Sequence, residues 1–456
     1  MPRAVAAGAP AAVPIAALVV GALALAGAAV ASLARPDLLL GYHGAPGMLA
    51  LTHAFTLGFV GLVYAGTLQQ LPAVLLVTDL SWPRLGVAAL PLLGVGTVLV
   101  VVGFGLGFAA LPLAVGGGLA SLAWGALLVQ LLFTARRRRS NDLAARGLVI
   151  AVAYLALTVV LGFVLAGSRS LPAIPRAIGY PVSIHLTAGL FGAFLLGIAA
   201  SGQKLLSMFA LAKGGAVWRL RWLTWLIHGA VLAEVLTRLA GWPLGGARWV
   251  LLAGAGALQL WEVGAILRRR LRRRLEAPVQ RYVVAHGFLP LAGALLLFGE
   301  VQAAALAFAL GFVGLAVSGM LVKIVSFLSW TAGFVQQPAG VTKTARPPAD
   351  TARAGATVAT GSAMPAPVRA PRPPLLRDLV RPELEPLIGG GLGGGALAAV
   401  AAVLTGSIPV ATVSAGALTV GALAQLAQVL HVIWAALRGT RQSARVTRGT
   451  REEVPA

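Results

Sequence analysis

Residues 185–212, HLTAGLFGAFLLGIAASGQKLLSMFALA, constrain the fold more than any other stretch of the sequence. They exceed the roughly 20 apolar residues that a helix needs to cross a bilayer. Two related stretches occur at 53–77 and 307–330. Two of the three end in a Lys-x-x-Ser pattern, at Lys204 and Lys323. This spacing predicts an internal repeat in which the three stretches are equivalent helices.

The composition extends this prediction to the whole chain. Of the 456 residues, 58% are hydrophobic and only 11% are charged, which is typical of an all-α polytopic membrane protein. The first apolar run, 11–34, is longer than the core of a signal peptide, so we count it as a spanning helix. Twelve transmembrane helices are predicted, at 11–34, 46–78, 85–108, 111–135, 147–168, 181–212, 219–240, 244–267, 281–300, 302–330, 386–406 and 409–437.

The charge distribution predicts the orientation. The net charge is +23, but the basic residues lie between apolar spans, so we expect a lipid bilayer as the partner and no nucleic acid. With the N-terminus and the C-terminus inside, only five of the 36 Lys and Arg residues fall in outer segments. We expect a multi-pass protein of a bacterial-type inner (cytoplasmic) membrane. The five are Arg35, Arg169, Arg176, Arg238 and Arg248.

The predicted domains follow from the same pattern. Residues 1–330 hold helices 1–10, and 331–384 form a disordered Pro/Ala-rich cytoplasmic linker. Residues 385–437 hold helices 11 and 12 of the same bundle, and 438–456 form a basic cytoplasmic tail. Because helices 2, 6 and 10 are the repeated ones, we expect three four-helix units with pseudo-threefold symmetry. The two repeated lysines are expected to extend to the lipid headgroups.

The histidines are the main candidates for a functional site. With no cysteine in the chain, thiolate ligands are excluded, and ionisable side chains inside a membrane are costly and usually functional. His53 and His185 lie near one depth on the outer side, and we predict that they bind a cofactor or metal between helices. His228 lies near the midplane and is a secondary metal ligand. His286 and His431, near the inner surface, are weaker candidates.

Each of these histidines has an ordinary structural alternative. A lone imidazole inside a membrane can simply bond a neighbouring carbonyl or hydroxyl group. The same choice applies to Glu234, for which we expect a hydrogen-bonded or interfacial role rather than proton transfer. These alternatives remain open at the level of the sequence.

Several motifs carry a resemblance to a known family. They are His53-x4-Gly58, Gln69-Gln70-Leu-Pro72, Lys204-x3-Met208-Phe209 and Lys323-Ile-Val-Ser-Phe327-Leu-Ser-Trp330. Together with the helix count, they resemble divergent bacterial members of the heme-copper oxidase subunit I superfamily, which includes cytochrome c oxidase subunit I and nitric oxide reductases.

The resemblance implies roles for particular residues. It matches His53 to the helix 2 ligand of a low-spin heme and His185 to a helix 6 copper ligand, and His228 falls where the family has copper ligands. The family also has His-x-His on helix 10, whereas 302–330 contain no histidine. Helix 7 has one histidine in place of an adjacent pair. We therefore expect altered ligation, without full oxygen reductase activity.

The resulting prediction is a membrane heme protein. We expect heme b, with copper as a second candidate metal, and a function in electron transfer or in binding or reducing O2 or NO. A redox protein or a quinol would be its partner. The alternative is a cofactor-free transporter or scaffold that uses the intramembrane histidines as a polar path.

Overall fold

A computed structural model describes residues 8–139, 142–170, 181–335 and 375–452. Most of these residues are helical, and none of them forms a strand. Among them, ten helices are long and apolar enough to cross a membrane. The prediction of an all-α multi-pass membrane protein is therefore confirmed.

We number the helices in chain order. They are α1 (Ala12–Ala34), α2 (Pro46–Thr67), α3 (Pro83–Gly105), α4 (Ala110–Arg136), α5 (Leu143–Ser168), α6 (Val182–Ala210), α7 (Val217–Leu239), α8 (Gly245–Arg268), α9 (Ala277–Ala285), α10 (Phe288–Leu297), α11 (Val301–Gly333), α12 (Leu384–Thr405) and α13 (Ile408–Arg438). The ten apolar helices are all of these except α7, α9 and α10.

The predicted span 281–300 is wrong as a single helix. The structure has two short helices there, α9 and α10, separated at His286 and Gly287. Pro290 explains the break, because a proline ring clashes with the carbonyl group four residues earlier, here that of His286. Helix α7 fills the predicted span 219–240, but its arginines and Glu234 lower its hydropathy.

Two further boundaries differ from the prediction or extend it. Helix α2 ends at Thr67, and the chain turns before a separate short helix, Leu71–Leu76. At the other end of the chain, α13 continues beyond its apolar part, which ends at Arg438, to Glu452, through most of the predicted tail. Of the predicted linker, Thr331–Val335 form a five-residue π-helical turn at the end of α11 and Leu376–Leu379 form a 3-10 turn, whereas 336–374 lie outside the described residues.

Three helices share an uncommon backbone feature. Each of α2, α6 and α11 contains an eight-residue π-helical segment: Ala54–Gly61, Ala188–Leu195 and Ala307–Gly314. The segments read AFTLGFVG, AGLFGAFL and AFALGFVG, each with glycine in the fifth position. π turns inside α-helices are rare and occur frequently at functional sites.

The same three helices form the interior of the bundle. In the most apolar 18-residue stretch of each of these helices, 50%, 67% and 78% of the residues are buried inside the protein, against 33–44% for the other seven spans of the described chain. Phe191 of α6 and Phe308 of α11 lie 5.0 Å apart between ring centroids. A Cβ atom at Gly314 of α11 would lie 3.3 Å from the ring of Phe55 of α2. The outer helices surround this interior, and α1 packs against α13.

Ion pairs join the predicted inner ends of α6 and α11 to the loops that precede α5 and α9. Lys204 bonds Asp142, and Lys323 bonds Glu276, each at 2.5 Å. The Lys323 side chain is only 5% exposed, so the prediction that it extends to the headgroups is wrong. Burial raises the pKa of Glu276, but the hydrogen bonds and charges of Lys323 and Arg272 outweigh burial and hold that pKa below its ordinary value.

Candidate functional site

A large cavity lies in the predicted outer half of the bundle. It has a volume of ≈ 1730 Å³, and all three π segments contribute to its walls. His53 and His185 both line it. The walls are mostly apolar, with aromatic rings from Phe55, Phe104, Phe163, Phe191, Phe194 and Phe308.

His53 is the last residue before the π segment of α2. Its Nδ1 lies 2.7 Å from the carbonyl oxygen of Leu49, one turn earlier in the same helix. Its ring packs against Phe104 of α3, with 4.8 Å between the ring centroids. These two contacts fix the orientation of the imidazole at the cavity wall.

His185 lies three residues before the π segment of α6. Its Nδ1 is 2.8 Å from the carbonyl oxygen of Thr158 of α5. The ring lies beside Gly162, where a Cβ atom would come within 2.9 Å of the imidazole Cε1. The absence of a side chain at Gly162 therefore makes room for the ring between α5 and α6.

The two imidazoles present the same chemistry. A carbonyl oxygen only accepts hydrogen bonds, so Nδ1 carries the hydrogen in each neutral ring and Nε2 keeps its lone pair. Neither Nε2 has a hydrogen-bond partner among the residues that the structure describes. Metal-binding histidines commonly donate one ring N–H to a carbonyl group, which fixes the tautomer and orientation of the ligand.

The other predicted histidines do not line this cavity. Nδ1 of His228 lies 2.6 Å from the hydroxyl group of Tyr154 on the neighbouring α5. The ring of His431 packs against Trp434 on its own helix. The structure therefore does not bring either of them to His53 and His185.

His286 is also separate from the cavity and has partners for both ring nitrogens. Nδ1 contacts the carbonyl oxygen of Tyr282 at 2.8 Å, and Nε2 contacts the amide nitrogen of Gln259 at 2.9 Å. This buried histidine connects α9 to α8. Within the described ranges, no group of three or more His, Cys, Asp or Glu side chains is arranged to hold a metal ion.

Glu234 of α7 is the most enclosed carboxylate near the site. It is fully buried and pairs with Arg238, 2.9 Å away, and with Arg248 of α8. The expectation of a hydrogen-bonded carboxylate is confirmed. Arg248 also lines the cavity, and its Nε is buried without a hydrogen-bond partner in the described structure.

Sequence reasoning gave no role to His43, which lines the same cavity as His53 and His185. The neighbouring Tyr42 also lines it, and the two rings lie 4.5 Å apart. The signal in the sequence was the place of His43 in the segment that leads into α2, the helix that carries His53.

No protein-family model matches this chain, and no curated protein shows significant similarity to it. The functional conclusion therefore depends on the geometry of the site and on the sequence motifs.

Proposed function

We propose that the protein is a membrane heme protein that binds a b-type heme through His53 and His185. The observation that carries the proposal is that the two rings have the same location and the same hydrogen-bonding pattern. Both line one cavity, and both use Nδ1 in a carbonyl hydrogen bond, which leaves Nε2 available as a ligand. A neutral imidazole donates to iron without adding a buried charge.

The surroundings of the two rings suit a flat, largely apolar macrocycle. The aromatic wall provides apolar contact area. When bound, the heme would supply one-electron redox chemistry.

Electron transfer is the activity that this ligand set supports best. His53 and His185 would hold the heme, and with both imidazoles as ligands the group would supply one-electron transfer rather than binding of O2 or NO. Copper at the same imidazoles is a second candidate metal, because imidazole also suits copper. We place this activity in a bacterial-type cytoplasmic membrane.

We further propose three four-helix units, twelve spans and an N-in, C-in orientation, as in the superfamily that the motifs resemble. The three π segments support this repeat, because the residue twelve positions after the fifth-position glycine is Gln70, Lys204 or Lys323. Each of these side chains bonds a residue just before the first helix of its unit. Those partners are Ala9, Asp142 and Glu276.

A second repeated contact supports the same arrangement. The fourth helix of the first and third units carries a glutamine, Gln130 or Gln428, that donates to a main-chain carbonyl before the third helix, at 3.2 and 3.4 Å. In the second unit this position holds Glu262. It accepts from Gln203, whose amide also donates to the carbonyl group before α7.

The test is the visible spectrum of the purified protein. We expect a Soret band that shifts on reduction with dithionite and is lost in His53→Ala and in His185→Ala. The matched control is His431→Ala, which removes an intramembrane histidine away from the cavity and should leave the band unchanged. Metal analysis of the same samples measures iron and copper.

Other outcomes of the same experiment would refute the heme or the assignment of its ligands. A folded wild-type protein that stays colourless after heme is added during expression, and that contains no iron, would refute the heme proposal. Loss of the band in all three variants alike would refute the assignment to His53 and His185. A colourless, metal-free protein would instead favour a cofactor-free transporter or scaffold.

A further inference from the structure

A second, smaller cleft lies at the predicted inner end of α4 and α5. It has a volume of ≈ 260 Å³, and its walls come from α4, α5 and the short helix Leu71–Leu76. The main-chain N–H of Arg139, just after α4, donates to the carbonyl oxygen of Leu76 at 3.0 Å and joins the short helix to the end of α4. None of the described residues that line this cleft also lines the cavity of His53 and His185, so the two sites are separate.

One wall of this cleft is apolar and lies at the surface of the bundle. Leu132 of α4 is 41% exposed, and Val149 and Ile150 of α5 are half-buried. All three line the cleft within about two turns of the inner ends of their helices. In a bilayer, the acyl chains of the inner leaflet lie against an apolar surface at this depth.

Three guanidinium groups line the same cleft. Arg136 and Arg138 come from the end of α4, and Arg146 comes from the first turn of α5. Cζ of Arg136 lies 4.9 Å from the ring centroid of Phe133, and Nη1 of Arg138 donates to the carbonyl oxygen of Ala135 at 3.2 Å. A guanidinium group has five N–H donors, so the bond to Ala135 leaves donors of Arg138 for an anionic ligand.

The charge around the cleft is strongly positive. Residues 136–146 contain five arginines and one carboxylate, Asp142. Asp142 lies 2.5 Å from Lys204 of α6, which compensates its charge. Guanidinium groups bind phosphate oxygens through paired N–H donors. An apolar wall alone would accept the chain of any lipid, whereas the arginines select a lipid whose headgroup carries negative phosphate.

We propose that this cleft binds an anionic phospholipid of the inner leaflet. Its phosphate lies among Arg136, Arg138 and Arg146, and an acyl chain lies along Leu132 and Ile150. Basic pockets between transmembrane helices on the cytoplasmic side bind cardiolipin headgroups in the same way. The lipid would join α4 to α5, which belong to the first and second of the proposed four-helix units. This inference goes beyond the heme proposal and does not depend on it, because it uses no residue of the large cavity.

The experiment is native mass spectrometry of the full-length protein, with the wild type and one variant mixed in the same detergent solution and the same concentration of cardiolipin. Arg136→Gln with Arg138→Gln is the charge variant. The matched control is Arg269→Gln with Arg270→Gln, which removes two exposed arginines at the inner end of α8, outside the wall of the cleft. Like Arg138, Arg270 bonds the carbonyl group three residues earlier. Ala135→Leu fills the cleft without changing the charge.

We expect the wild type to bind cardiolipin more tightly than phosphatidylcholine. The charge variant should bind cardiolipin about tenfold or more weakly, because each basic residue at the membrane surface adds to the attraction of anionic lipid. Ala135→Leu should also bind it more weakly, and the control should bind it like the wild type. Excess glycerol phosphate should not displace the lipid, because it lacks the acyl chain that the apolar wall contacts.

Three results would overturn the proposal. Equal losses in the charge variant and in its control would show a general attraction of the basic inner surface for anionic lipid. Equal binding of cardiolipin and phosphatidylcholine would show that the arginines select no headgroup. Displacement by glycerol phosphate, or unchanged binding in Ala135→Leu, would show an anion site without a place for the lipid chain. Thermal unfolding is a second measurement: cardiolipin should raise the apparent Tm of the wild type and the control more than that of the charge variant, and equal shifts would also contradict the proposal.

Discussion

Removal of the carboxylate at Glu276 should destabilise the protein far more than removal of the equivalent carboxylate at Asp142. Both pair with a lysine at 2.5 Å, and each lies just before a helix, α9 for Glu276 and α5 for Asp142. The lysines differ in burial, because the side chain of Lys323 is 5% exposed and that of Lys204 is 51% exposed. Glu276 also pairs with Arg272, but that side chain is 38% exposed, so the main difference between the two contacts is the burial of the lysine.

The magnitudes follow from that difference. Breaking a buried ion pair by removing one partner costs about 3–5 kcal/mol, because a charge is left without compensation. Since Glu276 is 24% exposed, we expect Glu276→Gln to cost about 3 kcal/mol. For the solvated Lys204 pair the expected cost of Asp142→Asn is at most about 1 kcal/mol. Asparagine can also keep the bond from the Ala144 amide that Asp142 accepts.

The assay is thermal unfolding in detergent, followed by tryptophan fluorescence. At about 2 °C per kcal/mol, we expect the apparent Tm to fall by about 6 °C in Glu276→Gln and by about 2 °C or less in Asp142→Asn. The double variant Glu276→Gln with Lys323→Met should recover most of the loss, because no buried charge then remains unpaired. Arg272, which also bonds Glu276, is 38% exposed and stays solvated. Equal losses in the two single variants, or no recovery in the double variant, would refute the reasoning.

Two further predictions concern the same region. Because the folded pKa of Glu276 lies below its ordinary value, the stability that its carboxylate contributes is full above about pH 4.5 and is lost as the pH falls through the folded pKa. The apparent Tm of the wild type should therefore fall more steeply between about pH 5 and about pH 3 than that of Glu276→Gln. Parallel curves for the two proteins would contradict this. Gly319→Ala should prevent normal packing of α11 on α9, because its Cβ atom would lie 2.3 Å from the carbonyl oxygen of Pro278. We expect the free energy of unfolding to fall by about 3 kcal/mol or more, with a low yield of monodisperse protein. Gly118→Ala, with nothing within 4 Å of its Cβ atom, should behave like the wild type in size-exclusion chromatography.

Apolar run length predicted most of the helices, because in a bilayer every backbone polar group must be satisfied within a helix. It failed at 281–300, where the hydropathy is high but Pro290 breaks the helix through a local steric effect. It also could not predict the π segments, since composition does not determine where a helix takes an extra residue. The sequence feature that coincides with those segments is the repeated pattern around the fifth-position glycines.

The two outer histidines were identified from their residue type and depth, and both lie on one cavity. Their partners were not predictable, because the carbonyl groups of Leu49 and Thr158 belong to every residue type and only the fold brings one of them to a ring. The same limit applies to His228, whose partner Tyr154 lies 74 residues earlier in the chain. The ion pairs of Lys204 and Lys323 were not predicted from the sequence either. Snorkelling was inferred from depth alone, without the two loop carboxylates, Asp142 and Glu276, that reach the lysines.

The π segments have a consequence for how this chain can change in length. A deletion inside a segment removes the extra residue that the wide π turn holds, whereas deleting one α-helical residue after the segment would turn everything after it by about 100° around the helix axis. In α11 the ammonium group of Lys323 would then point away from Glu276, although no polar residue had been altered. Each inner helix therefore tolerates substitution on its lipid-facing positions more readily than it tolerates a one-residue deletion between its glycine and its terminal polar side chain.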